Sequence, residues 1–487
     1  MGLRGLPFCL MENPPGSIGA GGMAPGWRRR LATGAVMSAL VVTGVEGTAV
    51  TGVMPEVTRE FGGAALYPWL FTGFLVASAA AVPVAGALGD RYGRLPVFSA
   101  GMALFLGASL LAALSPSMPA LVAARALQGL GAGVISPLAT TVSADLYSLR
   151  ERAKVQGLFT GAWGAANVIG PFLAAWLVVH LSWRWVFGLA LPFGVLAVVL
   201  LGAAGLKRPA GLVPRPISTG GPLWLASSVG ALLFALDPHL GFGPLARALW
   251  FALSIAAALA FARHLRHSAS PLLPRALLRE PLVQAGVGTS LLAGALIYVP
   301  TAFVPLWVAE AYEGGARVAG LALVPLLGGW ALGSTFGVMA LVRWGAWRVV
   351  VGGLTISALG LGSLAWVARE HGPLGVAMAA LAVAGSGLGP AANAPLLRLQ
   401  ALAAWHERAA MTGLVQASRT LGGSLAVALV ASLDGPDRFA APAWATALAL
   451  PLIGWGLRAA EGGLVARRAQ GLRGAPAAQQ ARVTCRS

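Results

Sequence analysis

The chain has 487 residues, of which 57% are hydrophobic and only 10% charged, with a mean hydropathy of +0.76. Soluble domains carry about 25% charged residues, so a soluble protein is excluded. The formal charge of +18 would suit nucleic acid, but the Lys and Arg residues cluster in short runs between long apolar segments, where basicity reports membrane topology.

About 14 segments are apolar and long enough to cross a hydrocarbon core of about 30 Å. With the N-terminus inside, about 26 of the 34 Lys and Arg fall on the cytoplasmic side, about 6 outside and about 2 within helices. The outer loops are mildly acidic, with Glu56, Glu60, Glu310, Glu313, Glu370, Asp434 and Asp437. Cys9 and Cys485 sit one in each tail, both expected in the cytoplasm, so no structural disulfide is expected. The six histidines show no metal-ligand spacing, and a metalloenzyme has no support. Residues 1–26 are rich in Gly and Pro and lead into Trp27-Arg28-Arg29-Arg30. No small-residue cleavage site follows the first helix, so a disordered cytoplasmic tail is expected, with Met11 and Met23 as alternative starts.

The first helix is expected over about Leu31–Met54 and carries Glu46, the only carboxylate placed deep within a span. An ionisable group there costs on the order of 3 kcal/mol, so it must face a cavity or a partner. The second helix, about Tyr67–Leu88, has Trp69 and Phe71 near its outer end, where aromatic residues usually form an interfacial belt. Gly86-Ala87-Leu88-Gly89-Asp90-Arg91-Tyr92-Gly93-Arg94 then makes a tight, charged turn into the third helix. Gly89 and Gly93 supply the backbone freedom of a helix end and a sharp return. Asp90 can cap a helix start, and Arg91 and Arg94 hold the turn on the cytoplasmic side.

This Gly-x-Leu-x-Asp-Arg-x-Gly-Arg turn resembles the signature loop of the major facilitator superfamily of secondary transporters, with every charged and glycine position present. The resemblance implies that Gly86, Asp90, Arg91, Gly93 and Arg94 help to hold one side of a transporter shut. Val45-Glu46-Gly47-Thr48-Ala49-Val50, followed by Met54-Pro55, resembles the first-helix motif of the drug:proton antiporters in that superfamily, with Glu where Asp is commoner.

The third helix, about Pro96–Leu114, is featureless. The fourth, about Ala120–Val142, holds Arg125-Ala126-Leu127-Gln128-Gly129-Leu130-Gly131. A guanidinium does not readily lose its proton, so Arg125 must be paired or hydrated. The pattern resembles a superfamily motif whose Arg is tied to proton coupling. Arg125 and Glu46 are therefore expected to sense each other, the guanidinium favouring the charged carboxylate and burial opposing it. The alternative is an Arg125 satisfied by backbone carbonyls alone. The fifth helix, about Val155–Val179, contains Gly157, Gly161, Gly164, Asn167 and Gly170-Pro171. Small residues at this spacing allow close packing, and a Gly-Pro step bends or loosens a helix. It resembles the antiporter motif incompletely, with Ala166, Ala174 and Ala175 in place of Gly. Trp183-Arg184-Trp185-Val186-Phe187 resembles the fourteen-helix drug:proton antiporter branch, although Ala190 replaces an Asn. Chemically the run is an interfacial anchor and is left out of the site.

A Pro- and Gly-rich basic linker, 207–221, divides the chain, and two further spans follow at about Leu223–Leu236 and Leu245–Phe261. Twelve helices are the superfamily's basic set, so these two are what the fourteen-helix branch adds. The second half opens on a helix with Tyr298, Pro300 and Pro305, expected to be broken or bent. Arg343-Trp344-Gly345-Ala346-Trp347-Arg348 echoes the first-half turn without its Asp, as a parallel repeat would leave it. Gly385 to Pro390, with Asn393 and Pro395, is expected to make a loose, polar span. In the next span Gln416-x-x-Arg419-x-x-Gly422-Gly423 again resembles the fourteen-helix branch. Arg419 is expected in the cytoplasmic half, pairing across the interface with Asp90 or Asp145.

The expected fold is an all-α polytopic membrane protein of the major facilitator type, with both termini cytoplasmic and about 14 spans. The divisions are a tail (1–30), a six-helix bundle (31–206), the linker, two added helices (222–263), a loop (264–280), a second six-helix bundle (281–459) and a basic tail (460–487). The expected activity is not enzymatic. It is proton-coupled efflux of lipophilic or cationic small molecules across the cell membrane by alternating access. The resemblance implies that Glu46 and Arg125 couple protons, and Gly86, Asp90, Arg91, Gly93, Arg94, Gly170, Pro171 and Arg419 are expected to form the gate. Trp69, Gln128, Asn167, Tyr298, Asn393 and Gln416 are expected to line the substrate cavity. Sparse mid-membrane polar groups favour apolar or cationic substrates. No Gly-x-x-x-x-Gly-Lys-Ser/Thr loop occurs, so the proton gradient is the expected energy source and no cofactor is implied. The partners are the substrate, protons and lipid, with no nucleic acid, and the protein is expected to be a monomer. The alternative is proton-coupled transport of one specific metabolite, as exporter or symporter, which the same Glu46 and Arg125 would serve.

Overall fold

The computed structural model describes residues 26–62, 66–147, 149–205, 220–236, 241–267, 280–312, 318–319, 321–402, 408–431, 433 and 436–473. Within them all regular structure is α-helical, as hydrocarbon demands of a backbone that must satisfy its own hydrogen bonds. The first half comprises α1 (Gly26–Phe61), α2 (Tyr67–Tyr92), α3 (Arg94–Ala113), α4 (Met118–Leu146), α5 (Leu149–His180), and the consecutive α6 (Arg184–Gly188) and α7 (Ala190–Ala204). Two intervening helices follow, α8 (Gly220–Leu236) and α9 (Pro244–His267). The second half comprises α10 (Pro281–Ala311), α11 (Val324–Trp344), α12 (Ala346–Arg369), α13 (Leu374–Leu402), α14 (Arg408–Val430) and α15 (Asp437–Arg473). Among the described residues, eleven helical stretches are long and apolar enough to cross a membrane, against the fourteen or so expected. The shortfall falls at α1, α5 and the shorter apolar stretch Leu223–Leu236 of α8. α15 continues beyond Ala459 to Arg473.

The halves repeat one packing scheme. α4 packs on α2 and α3, and α1 packs on α5 and α7; likewise α13 packs on α11 and α12, and α10 packs on α14 and α15. The turn that opens the third helix of each half repeats too. Gly93 has φ +95° and Gly345 φ +81°, and their amides donate to Gly89 and Leu341 at 3.0 and 3.1 Å. Only glycine adopts this backbone without strain.

Glycines also set the closest helix crossings. A Cβ at Gly129 or Gly133 of α4 would collide with the Phe74 or Ser78 carbonyl of α2, and one at Gly385 of α13 with the Leu326 carbonyl of α11. The span expected to be loose is thus one of the tightest contacts, because small residues let backbones touch. α10 likewise runs unbroken through Pro300 and Pro305.

Two separate apolar cores decide how the halves meet. The larger joins Val45–Val57 of α1 and Tyr67–Phe71 of α2 to α10, α11 and α13 of the second half, sealing the halves at the end that carries the α1–α2 connection. The smaller belongs to the first half alone, with Ala32–Val42, Val97–Phe105 and Ile135–Ala139, towards the end that carries the α2–α3 turn. At the sealed end the Tyr67 hydroxyl donates to the Ala302 carbonyl of α10, and its ring lies 5.6 Å from Phe71 and 6.2 Å from Phe303.

Trp183 proves to be core, not an interfacial anchor. It is buried, it donates to Glu60 at 2.6 Å, and Arg184 pairs with the same carboxylate at 2.8 Å, pinning α6 to the end of α1. Hydrogen bonds from Arg184 and Trp183 hold the Glu60 carboxyl below its usual range. Trp185 is exposed, as an anchor should be. α8 and α9 exchange reciprocal bonds between Ser228 and Ser254, and α8 lies over the seam where α2 meets α14.

Candidate functional site

Glu46 and Arg125 are both buried at 3% exposure and meet in the centre of the first half. Arg125 Nη1 donates to Glu46 Oε1 at 3.2 Å and to Gln128 Oε1 at 2.9 Å, and Nε reaches the Leu70 carbonyl at 3.4 Å. Its guanidinium carbon stands 4.4 Å from the centre of the Phe74 ring. Gln128 Nε2 donates both to Glu46 Oε1 and, at 2.8 Å, to Ser109 Oγ, which donates onward to the Phe105 carbonyl at 2.9 Å. Each Gln128 amide proton therefore has an acceptor. The exception in the cluster is Glu46 Oε2, which is buried and accepts no hydrogen bond among the described residues.

Helical spacing produces this convergence. Arg125 and Gln128 are three residues apart on α4 and share a face, and the glycine crossing at Gly129 brings that face against α2. The alternative of an Arg125 held by carbonyls alone does not hold, since the Glu46 and Gln128 side chains also accept from it. Gln128, expected in the substrate cavity, belongs to the ion-pair cluster. α3 is not featureless: Ser109, the only polar side chain between Met102 and Leu114, terminates the network. That isolation was the available signal.

The remaining candidates disperse. Trp69 packs on Phe234 of α8 at 4.4 Å, and with Pro68, Thr72, Leu233, Ala428 and Ala431 it lines a small cavity of about 10 Å³, room for one water. Asn393 donates to Ser334 at 3.0 Å, tying α13 to α11. Gly86 is exposed, and Gly93 caps α2. Gly170 is buried within α5. Arg94 begins α3. The side chains of Asp90, Arg91, Asn167 and Pro171 lie outside the described residues, as does that of Asp145.

The pairing of Arg419 with Asp90 or Asp145 lies outside the described residues. Arg419 lies midway along α14, half-buried, with Nη2 donating to Gln416 Oε1 and the guanidinium carbon 5.9 Å from the centre of the Trp330 ring of α11. The Tyr298 ring of α10 packs against Gly423, one turn along α14. Among the described residues no carboxylate pairs with Arg419.

A twice-repeated set of membrane helices enclosing a buried ion pair is the architecture of a membrane transporter. The chain belongs to the Major Facilitator Superfamily, whose family description matches residues 34–427. It is 29% identical over 411 residues to the multidrug transporter protein MdtP of Bacillus subtilis, covering 83% of this chain and 75% of that one. It is 26% identical over 420 residues to the tetracenomycin C resistance and export protein of Streptomyces glaucescens, covering 83% and 77%. The fold is similar to that of the xylose transporter XylE of E. coli in a partially occluded inward-open conformation, with a TM-score of 0.63, 15% identity and coverage of 88% and 98%. The protein is thus a multi-pass membrane transporter of small molecules and not an enzyme.

Proposed function

We infer that the protein exports lipophilic or cationic small molecules from the cell in exchange for protons. The observation that carries this reading is Glu46, whose Oε1 collects Arg125 and Gln128 while Oε2 has no partner. A proton arriving at Oε2 breaks no contact, yet it removes the charge that Arg125 faces, and so changes what holds α1 to α4. The names of the bacterial relatives support drug export. A proton entering from outside neutralises Glu46 as substrate leaves, and the halves rock back. Each charge moved down the membrane potential supplies about 2.3 kcal/mol per 100 mV.

In this reading the membrane is the cell membrane, the working unit is a monomer, and the proton gradient is the energy source without a cofactor. α1 to α15 make fourteen spans, with α6 and α7 as one, and both termini are cytoplasmic. The end where the Tyr67 hydroxyl reaches the Ala302 carbonyl then faces outward. Gradient-driven dye efflux from reconstituted vesicles tests the reading. Glu46→Gln should abolish it, and efflux surviving that substitution unchanged would overturn the coupling assignment. Movement of one metabolite and of no lipophilic dye would instead favour a dedicated carrier.

A further inference from the structure

The two halves carry related arginine clusters that differ in one respect. In the first half Arg125 pairs with a glutamine three residues away, lies over a ring of α2 and faces a carboxylate of α1. In the second half Arg419 pairs with a glutamine three residues away, lies over a ring of α11 and stands one turn from Gly423, against which the Tyr298 ring of α10 packs. α10 and α11 correspond to α1 and α2 in the repeat, so Tyr298 stands on the helix equivalent to that of Glu46, and Trp330 on that of Phe74. The arginines themselves are on non-equivalent helices, α4 and α14. The first half therefore supplies its own counter-charge, whereas the second presents a fixed cation to neutral groups only, among the described residues.

A guanidinium stays charged, and a cation within the membrane is costly unless paired or hydrated. Arg419 is intermediate in exposure and has no carboxylate partner among the described residues. It lies eleven residues from the start of α14, about 16 Å along the axis at about 1.5 Å per residue, which is too deep for a lipid phosphate at the headgroup level. We propose that Arg419, with Gln416 and Tyr298 beside it and Trp330 beneath it, binds an anionic oxygen, a carboxylate or ionised phenol, on an aromatic substrate. This rests on the export reading and narrows its substrates to lipophilic aromatic compounds that carry such a group. The aromatic part follows from Trp330 and Tyr298, whose rings offer stacking faces next to the charge.

Equilibrium binding to the purified full-length protein in detergent, without any gradient, tests this separately from export. The probes are anthracene-9-carboxylate and its methyl ester, matched in shape and differing in charge. The wild type should bind the acid about tenfold more tightly than the ester, the effect of one good charge-assisted contact. Arg419→Gln should erase that preference. Arg419→Lys, which keeps the charge but loses the planar fork, should retain only part of it and serves if the first variant fails to fold. Equal affinity for acid and ester in the wild type, or a preference that persists in Arg419→Gln, overturns the proposal. So does displacement of the acid by chloride at equal concentration, which would mark a site for a simple inorganic anion. Loss of proton-driven efflux with the acid preference intact would sink the export reading and leave the anion site standing.

Discussion

Replacing Arg125 by Met tests whether the Glu46 cluster acts as one unit. The substitution removes the donors to Glu46 Oε1 and Gln128 Oε1, at 3.2 and 2.9 Å, and leaves a buried carboxylate with Gln128 as its remaining partner. Breaking a buried pair on one side in this way costs about 3–5 kcal/mol, most of it from the stranded charge. Glu46→Gln strands the opposite charge on Arg125 and should also destabilise. The double variant strands neither, so its loss should fall short of the sum of the single losses by about 0.5–3 kcal/mol. Reversible unfolding of the purified protein in mixed micelles, followed by circular dichroism, measures all three variants on one scale. Losses that add to within about 0.5 kcal/mol would refute the coupling between α1 and α4 drawn from the geometry.

Ser109→Ala removes the second acceptor of Gln128 and leaves a buried donor unmatched, a loss of about 1–3 kcal/mol in the same unfolding measurement, with lowered efflux. Gly129→Val would drive a side chain into the Phe74 carbonyl of α2, and overpacking of this kind costs about 1–3 kcal/mol or more, visible as loss of monodisperse protein on size exclusion. Tyr67→Phe deletes the bond to Ala302 that crosses between the halves at the sealed end, worth about 0.5–1.5 kcal/mol, and should raise labelling of cysteines placed at that end up to about tenfold. The Glu60 carboxyl is held below its ordinary value of 4.5, so its contact with α6 is fully present above that pH and is lost as pH falls through the lowered folded value. The melting-temperature gap between wild type and Glu60→Gln should be present at pH 7 and shrink as the pH falls below 4.5. The pair is solvent-exposed, so the gap should be small.

Much of the architecture was legible before any coordinates. Apolar length marked the spans, basic runs marked the turns, and the 86–94 turn with its fainter counterpart at 343–348 announced a repeated half. Glu46 and Arg125 also stood out, because charge inside a span is rare enough to need a reason. Less legible were the prolines of α10 and the glycines of α13, read as breaks and looseness. Packed against neighbours, the first leave a continuous helix and the second bring backbones into contact.

The sequence by itself determined that the chain is a polytopic helical membrane protein with a repeated charged turn, and that one carboxylate and two arginines must be accommodated within its helices. Tertiary structure decided which of these meet: that Gln128 and Ser109 complete the Glu46 cluster, that Trp183 is core, and that Arg419 lies beside Trp330 midway along its helix. The reason is physical. A helix between lipid and protein is apolar on both faces, so hydrophobic periodicity does not say which way a side chain points, and rotation is settled only where small residues let two helices lock.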